Sequence, residues 1–546
     1  MSNDHRQFIG GAWSTALGTS ASRVLGLLRD IATASLLGLG ESGVMDALVV
    51  AVRVPNLFRR LFGEGALTAA FLPAFAGERL RSVNDGWKLV SAVLVWLTGV
   101  LTLIVLAAEA LLGIAWFFAR DNPAVSLLLE MVAANLPYVV TICVASLLAA
   151  TLQAVGQFTI PAMAPALLNI CWLAGAWFVA PYFAPDKVAQ AWVIVVSIQI
   201  AGVLQAAVQW PALRAAGFRF QFDWPASRDT TRKIGRAVAV VALGLTITQI
   251  NTLLDSLIAW IFSAPPGGSS RIEWFGGVAY PMQVGAASAI HYGERFYQLP
   301  LGILGLAIAT AIFPLLSRHA AKGDKQLLGS DLTLGLRLAL FTSVPAGVGL
   351  VLIAEPLSRL LYQHGAFTSD DAHRTARMIL AYSSAVWAFC AVPVVVRGFY
   401  AHGDQLTPVR IGLASMVINL LLDLTLIWWV GEIALALSTA AAAVLQLALL
   451  LAAFQLRYGS LNWSDLGRCA MRTTVATLAM TVVVFLLLAR TTGTTDWLSL
   501  ATRLTAATVG GTVVYAVVAS LLRSPEIALL TRGSTPRSPS DKGETA

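Results

Sequence analysis

Charge is what this chain has least of. Asp, Glu, Lys and Arg make up 12% of its 546 residues, against about 25% in a soluble protein. That scarcity argues against a soluble globular enzyme. Cysteine is almost as sparse. Cys143, Cys171, Cys390 and Cys469 have no paired spacing, so they read as packing residues rather than disulfides or metal ligands. The six histidines show no metal spacing. No Walker loop and no nucleophile elbow occurs. ATP-driven transport and hydrolytic chemistry therefore lose support, and no enzymatic activity is expected. Gly38-Leu-Gly40-Glu-Ser-Gly43 spells G-x-G-x-x-G, but it follows a predicted membrane helix rather than a strand, which disqualifies it as a dinucleotide site. The ten-residue alternation of barrel strands is missing as well.

What is present is hydrophobicity. The chain is 57% apolar with a mean hydropathy of +0.74, and apolar runs of roughly 20 residues recur from end to end. These features predict an all-α polytopic membrane protein. Fourteen spans are expected, near 9–37, 44–62, 89–116, 130–153, 160–182, 189–213, 234–262, 284–317, 331–353, 374–400, 407–429, 432–456, 467–489 and 498–522. The net charge of +8 could suggest a nucleic-acid partner, but its distribution does not. With the N-terminus inside, most Lys and Arg fall in the cytoplasmic loops and termini, which is the positive-inside bias. Both termini are then cytoplasmic. The first span is long and carries Arg23 and Arg29, unlike a cleavable signal peptide.

The longest internal polar connection is Gly217–Arg236. It divides an N-lobe of six spans (1–216) from a C-lobe of six (237–458). Two further spans follow (459–523), then a tail rich in Ser, Pro, Thr and Gly (524–546) expected to be disordered. Internal repeats support two equivalent lobes. ALTAAFLP at 66–73 matches AIATAIFP at 307–314, and AVGQFTIP at 154–161 matches AHGDQLTP at 401–408. The offsets are 241 and 247 residues, so the pairs fall at the same step of a six-span count.

Four arginines sit inside these spans: Arg23, Arg29, Arg53 and Arg295. Each would cost about 2.5–3.5 kcal/mol facing lipid at a helix centre. Together that is on the order of 10–14 kcal/mol, comparable to the whole stability of a domain. They are expected to face a water-filled interior, and a cationic cavity implies an anionic cargo. Arg23 and Arg29 lie about 120° apart around one helix, so both can border a broad cavity. Asp30 lies seven residues from Arg23, on nearly the same face, and is placed to hold it. Asp46 and Arg53 repeat that spacing, and Glu294 adjoins Arg295. Arginine matches phosphate oxygens bidentately and stays charged, so pyrophosphate is the ligand class that suits the set. For Arg53, structural pairing with Asp46 explains the residue equally well.

A second polar group comprises Asp255, Asn419, Asp423 and Thr439. Two carboxylates, an amide and a hydroxyl offer hard oxygen donors suited to Na⁺ or protons. Interhelical hydrogen bonding accounts for them as well on spacing alone.

Four motifs place these residues in a known context: SRVLGLLRD (22–30), MDALVVAVRVPNLFRRLFGEGALTAAFLP (45–73), YGERFYQLPLGILGLAIATAIFPLLSR (292–318) and FYAHGDQLTP (399–408). They closely resemble the MurJ/MviN family of bacterial lipid II flippases in the MOP exporter superfamily, over residues 9–520. The resemblance implies two six-helix lobes around a central cationic cavity. It also implies a final helix pair forming a groove for a polyprenyl tail. The cargo would be undecaprenyl-pyrophosphate-linked disaccharide-pentapeptide, moved to the outer leaflet of the bacterial inner membrane by a monomer. Arg23, Arg29 and Arg295 occupy the family's essential arginine positions. Asp46, Arg59 and Glu64 match its motif positions, and Asp255, Asn419, Asp423 and Thr439 resemble a Na⁺ site of some members. Na⁺ is thus the coupling ion to expect, and no other cofactor is. Residues 263–283 depart from the pattern as an insertion in an outer loop that could shape the gate or contact cell-wall synthesis proteins. A flippase for another polyprenyl-pyrophosphate glycan, of O-antigen type, is the nearest alternative. A drug exporter for cationic cargo would want acidic or aromatic groups instead, and a membrane scaffold would need no buried arginines.

Overall fold

Inside a membrane every backbone polar group must be satisfied within its own segment, and the apolar runs accordingly fold as helices. The computed structural model describes residues 22–40, 42–59, 66–459, 461–489 and 496–532. Helix α1 covers 22–37. It is followed by α2 (Val44–Phe58), α3 (Ala66–Arg81), α4 (Val83–Ala119), α5 (Pro123–Asn135), α6 (Pro137–Ala154) and α7 (Thr159–Ala174). Next come α8 (Lys187–Ala207), α9 (Trp210–Ala215), α10 (Trp224–Ile261), α11 (Ala286–Pro300), α12 (Leu306–Ala321) and α13 (Lys325–Tyr362). The chain continues through α14 (Ser369–Ser383), α15 (Val386–Ala401), α16 (Leu406–Val430), α17 (Ile433–Arg457), α18 (Trp463–Ala489), α19 (Trp497–Leu521) and α20 (Pro525–Arg532). Short oxygen side chains start several of them. Asp186 accepts from the Val188 and Ala189 amides at the head of α8, and Asp496 from Ser499 at the head of α19, as N-caps do.

Among the described residues, ten helical segments are long and apolar enough to cross a membrane, or eleven if the bent pair α14–α15 counts as one span. The three other predicted spans have separate explanations. The first lies partly outside the described residues, α2 has only 15 residues, and the 234–262 stretch coincides, up to Ile261, with the second part of the 38-residue α10, some of whose side chains are not described.

Two compact units emerge. One comprises Met1–Tyr292, Leu361–Ala372 and Leu420–Leu435; the other comprises Gly293–Leu360, His373–Asn419 and Ala436–Ala546. In the first, the polar segment after Gly217 is docked rather than free. Phe218 packs edge-on against Trp87 and Trp210, Ser91 Oγ accepts from the Gln221 amide at 3.0 Å, and Lys88 reaches Asp223 at 3.1 Å. That hydrogen bond from Lys88 holds the Asp223 carboxyl below the usual carboxylate range. Composition alone hid this docking, because its anchors alternate with exposed Arg219, Phe220 and Phe222. Residues 263–283 also carry structure. Arg271–Ile272 pairs antiparallel with Val278–Ala279, and Phe275 stacks on Trp428.

In the second unit, α12, α13, α15 and α17 share a core that includes Leu332, Val395, Phe399 and Phe454. The α18–α19 pair packs on α13 through Phe341, Met480 and Tyr515, and the Tyr515 hydroxyl donates to the Phe341 carbonyl at 2.6 Å. The tail departs from expectation. Disorder was expected from 524, yet 525–532 form α20. Glu526 is 1% exposed and accepts from Arg337 Nε and Nη2 at 2.8 and 2.5 Å.

The sequence repeats share backbone geometry. After α6, Gly156 takes φ 84° and the Gln157 amide donates to Leu152 O. After α15, Gly403 takes φ 73° and the Asp404 amide donates to Phe399 O. Both are helix ends closed by a left-handed glycine, at matching positions of the A-x-G-x4-P repeat.

Candidate functional site: Arg29 and its surroundings

The first-unit arginines lie on α1 and α2. Arg23 is exposed, while Arg29 and Arg53 are half-buried. Arg29 is held on several sides. Its Nε and Nη2 donate to Asp30 Oδ1 at 3.1 and 2.7 Å, its Nη1 donates to Asn169 Oδ1 at 3.2 Å, and its guanidinium lies 4.7 Å from the centre of the Trp172 ring. Asn169 and Trp172 sit three apart on α7, so they share a face. The Asn169 amide also donates to the Ser22 carbonyl at 3.0 Å, and Trp172 Nε1 donates to Thr33 Oγ1 at 2.9 Å. Thr33 in turn donates to the Arg29 carbonyl at 2.8 Å.

Asp30, expected from its spacing to hold Arg23, accepts hydrogen bonds from Arg29. Adjacent helical side chains point about 100° apart, so helical spacing favoured the seven-residue pair. The length of the arginine lets its head fold back across that angle.

Asp46 does something the spacing did not reveal. It is 2% exposed. Its Oδ2 accepts from the Gly285 amide at 2.7 Å, and its Oδ1 from the Ser288 amide and hydroxyl at 2.8 and 2.6 Å. A carboxylate from α2 therefore caps the N-terminus of α11, where free amides and the helix dipole favour negative charge. Nearby, Tyr292, Tyr362 and Phe367 form an aromatic cluster. Arg59 follows α2 and donates to Asn56 Oδ1 at 3.2 Å. Glu64 lies outside the described residues. A cavity of about 230 Å³ opens where the 263–283 loop meets α2, α5 and α10, lined in part by Ser42, Asn122, Trp260, Pro266 and Tyr280.

In the second unit, Glu294 is buried and Arg295 half-buried on α11. A π-helical turn, Leu301–Gly305, follows them, as another (Gly175–Val179) follows Asn169 and Trp172 on α7. Such turns often mark functional segments. Gly305 is required there, because a Cβ would lie 2.9 Å from Cys390 Cα.

Of the four candidate ion ligands, Asp255, Asn419 and Asp423 are buried and Thr439 is half-buried. Asp255 accepts from Asn251 Nδ2 at 3.3 Å in the first unit. Asn419 Nδ2 donates to Thr439 Oγ1 at 3.4 Å in the second. Asn419 Oδ1 is buried with no hydrogen-bond donor among the described residues, an arrangement that fits an oxygen-coordinated cation.

The profile of a family described as lipid II flippase MurJ matches residues 34–521. The chain belongs to this family. The match takes in Arg53 and Arg295 and begins just after Arg29. A probable lipid II flippase MurJ of Vibrio cholerae is 32% identical over 448 residues, covering 79% of this chain and 80% of that one. Another, of Rhizobium tropici, is 30% identical over 487 residues, covering 88% and 86%. Among solved structures, a lipid II flippase MurJ in an inward closed conformation shares the fold with a TM-score of 0.71 at 22% identity, covering 94% of this chain and 99% of that one. A multidrug resistance MATE transporter of the MOP superfamily shares it at 0.63 and 13% identity, covering 80% and 94%. Family and helices together make this a multi-pass membrane protein.

Proposed function

We propose that this protein moves lipid II, the undecaprenyl-pyrophosphate-linked disaccharide-pentapeptide, from the inner to the outer leaflet of a bacterial cytoplasmic membrane for cell-wall synthesis. The observation that carries this reading is the family match across residues 34–521, together with a guanidinium on α1 held by a carboxylate. The chain acts as a carrier rather than an enzyme, with fourteen spans in two six-helix lobes plus a final pair, and with both termini cytoplasmic.

The chemistry at Arg29 suits this work. A carboxylate and a pyrophosphate present the same kind of oxygen to a guanidinium. Asp30 keeps Arg29 neutralised while no cargo is present, and an arriving pyrophosphate takes over the Nε and Nη2 donors. Arg23, Arg53 and Arg295 supply further positive charge, and the polyprenyl tail stays in the membrane alongside α18 and α19. The Asp46 cap on α11 is a contact able to open and close as access alternates. Asp255, Asn419, Asp423 and Thr439 would hold Na⁺, whose binding would help reset the empty carrier. An Asp423→Ala variant whose transport kept the same Na⁺ dependence would remove that part.

The test is complementation of a bacterium depleted of its own lipid II flippase, with outer-leaflet lipid II as the readout. Wild type should rescue, while Arg29→Ala and Arg295→Ala at matched expression should not. A well-expressed wild type that fails beside a working control flippase would refute the reading.

A further inference from the structure

Resting on that reading, we infer that Asn169 and Trp172 are positioning residues for the anion site, setting how Arg29 presents its donors. Neither is charged, and both lie in an apolar run of the sequence. Both are 6% exposed on α7, and both touch the Arg29 guanidinium. Asn169 ties α1 together across two turns by joining the Ser22 carbonyl to Arg29. Trp172 is itself fixed in orientation by Thr33, so the face that meets the cation is set before any ligand arrives.

The consequence is chemical. An arginine side chain is flexible, and ordering it on binding costs entropy. Here Nη1 is engaged by a neutral amide and the planar face by a neutral ring, while Nε and Nη2 face the carboxylate of Asp30. When an anion displaces Asp30, it meets a guanidinium that is already oriented. A neutral amide does this without competing for the charge, as a second carboxylate would. The ring makes a cation–π contact that phenylalanine can partly reproduce and leucine cannot.

The experiment titrates the full-length detergent-solubilised protein with purified lipid II, and separately with inorganic pyrophosphate, by native mass spectrometry, with thermal melting on the same samples. Arg29→Ala is the control. Asn169→Leu and Trp172→Leu should weaken binding about tenfold, the size expected for losing one interaction with a charged group. Trp172→Phe should weaken it by less than about threefold. Asn169→Asp should bind more weakly than Asn169→Leu, because a new carboxylate competes for Nη1, whereas a merely structural role predicts the isosteric Asp to be the milder change. Should the leucine variants unfold, the Asp and Phe variants carry the comparison. Wild-type affinity in Asn169→Asp and Trp172→Leu, with binding lost in Arg29→Ala, would overturn the positioning role. Wild type binding pyrophosphate but not lipid II would overturn the lipid II reading and leave the positioning role to be judged on pyrophosphate. Binding of neither would overturn both.

Discussion

Two half-buried arginines in this molecule each face a carboxylate, and the pairs are built differently. Arg29 meets Asp30, its neighbour in the chain. Arg337 on α13 meets Glu526 on α20, 189 residues later. The Arg29 side chain is 15% exposed and its carboxylate 8%; the Arg337 pair is 19% and 1% exposed. Burial barely separates them, but sequence distance does. The local pair opens by a side-chain rotation while α1 stays intact. The distant pair is made where α20 packs on α13, with Glu526 1% exposed and Ile527 against the Phe341 core. One suits a site that exchanges partners, and the other suits a fastening.

That contrast can be broken most forcefully at the fastening. Arg337→Ala leaves Glu526 buried with its charge uncompensated, and should cost about 3 kcal/mol, seen as a fall in melting temperature and in membrane abundance. Deleting 525–532 should lower the melting temperature less, because the Arg337 side chain it leaves behind is 19% exposed and can turn to water, whereas Glu526 is 1% exposed. Equal losses would mean that the helix matters and the ion pair does not. The next largest effect belongs to Asp46, whose hydrogen-bond partners lie 239 and 242 residues away. Asp46→Ala should cost about 2 kcal/mol, since it removes a helix cap made by a charged acceptor. Asp46→Asn should recover part of that in the same melt.

Smaller still is the turn after α15. There Asp404 accepts from the Thr407 amide and Tyr458 hydroxyl and pairs with Arg457 at 3.2 Å. Burial works against ionisation, but these hydrogen bonds and the Arg457 charge prevail and hold the carboxyl at about 2. Because the folded value lies below the unfolded one of about 3.9, the stabilisation is complete above that value and is lost only as pH falls through about 2. Asp404→Asn should therefore cost about 1 kcal/mol, equally at pH 6 and pH 8. The repeat-related turn has Gln157 and Ile160 at the positions of Asp404 and Thr407, so Gln157→Ala should be close to neutral. Smallest in stability is Asp30→Asn, expected to cost under about 1 kcal/mol, because the isosteric amide keeps an acceptor oxygen for Arg29. Its effect should appear in binding, as tighter capture of lipid II by an arginine no longer neutralised. A large loss of stability there would make Asp30 a fastening too, and the contrast would collapse.

What was readable in the sequence follows the same division. Hydropathy is a local property, so most spans could be placed, and the unusual arginines could be picked out one by one. The A-x-G-x4-P repeat was readable because a left-handed glycine is a local demand. Contacts between distant segments were not. Nothing near Asp46 announces Gly285, and Asn169 and Trp172 look like ordinary residues of an apolar helix. The tail does carry a local helix signal. Ser524-Pro525-Glu526 is a helix start, with an oxygen side chain, then proline in the first turn, then an acidic residue. Its bulk composition of Ser, Pro and Thr outweighed those three positions.

The Arg337–Glu526 contact also has a consequence in time. At about 5–20 residues per second, Glu526 emerges from the ribosome roughly 10–40 s after Arg337. For that interval the newly made α13 carries a cation whose partner does not yet exist. A polypeptide released early keeps that cation stranded for good, so an unfinished copy differs from a finished one in the middle of the protein as well as at its end.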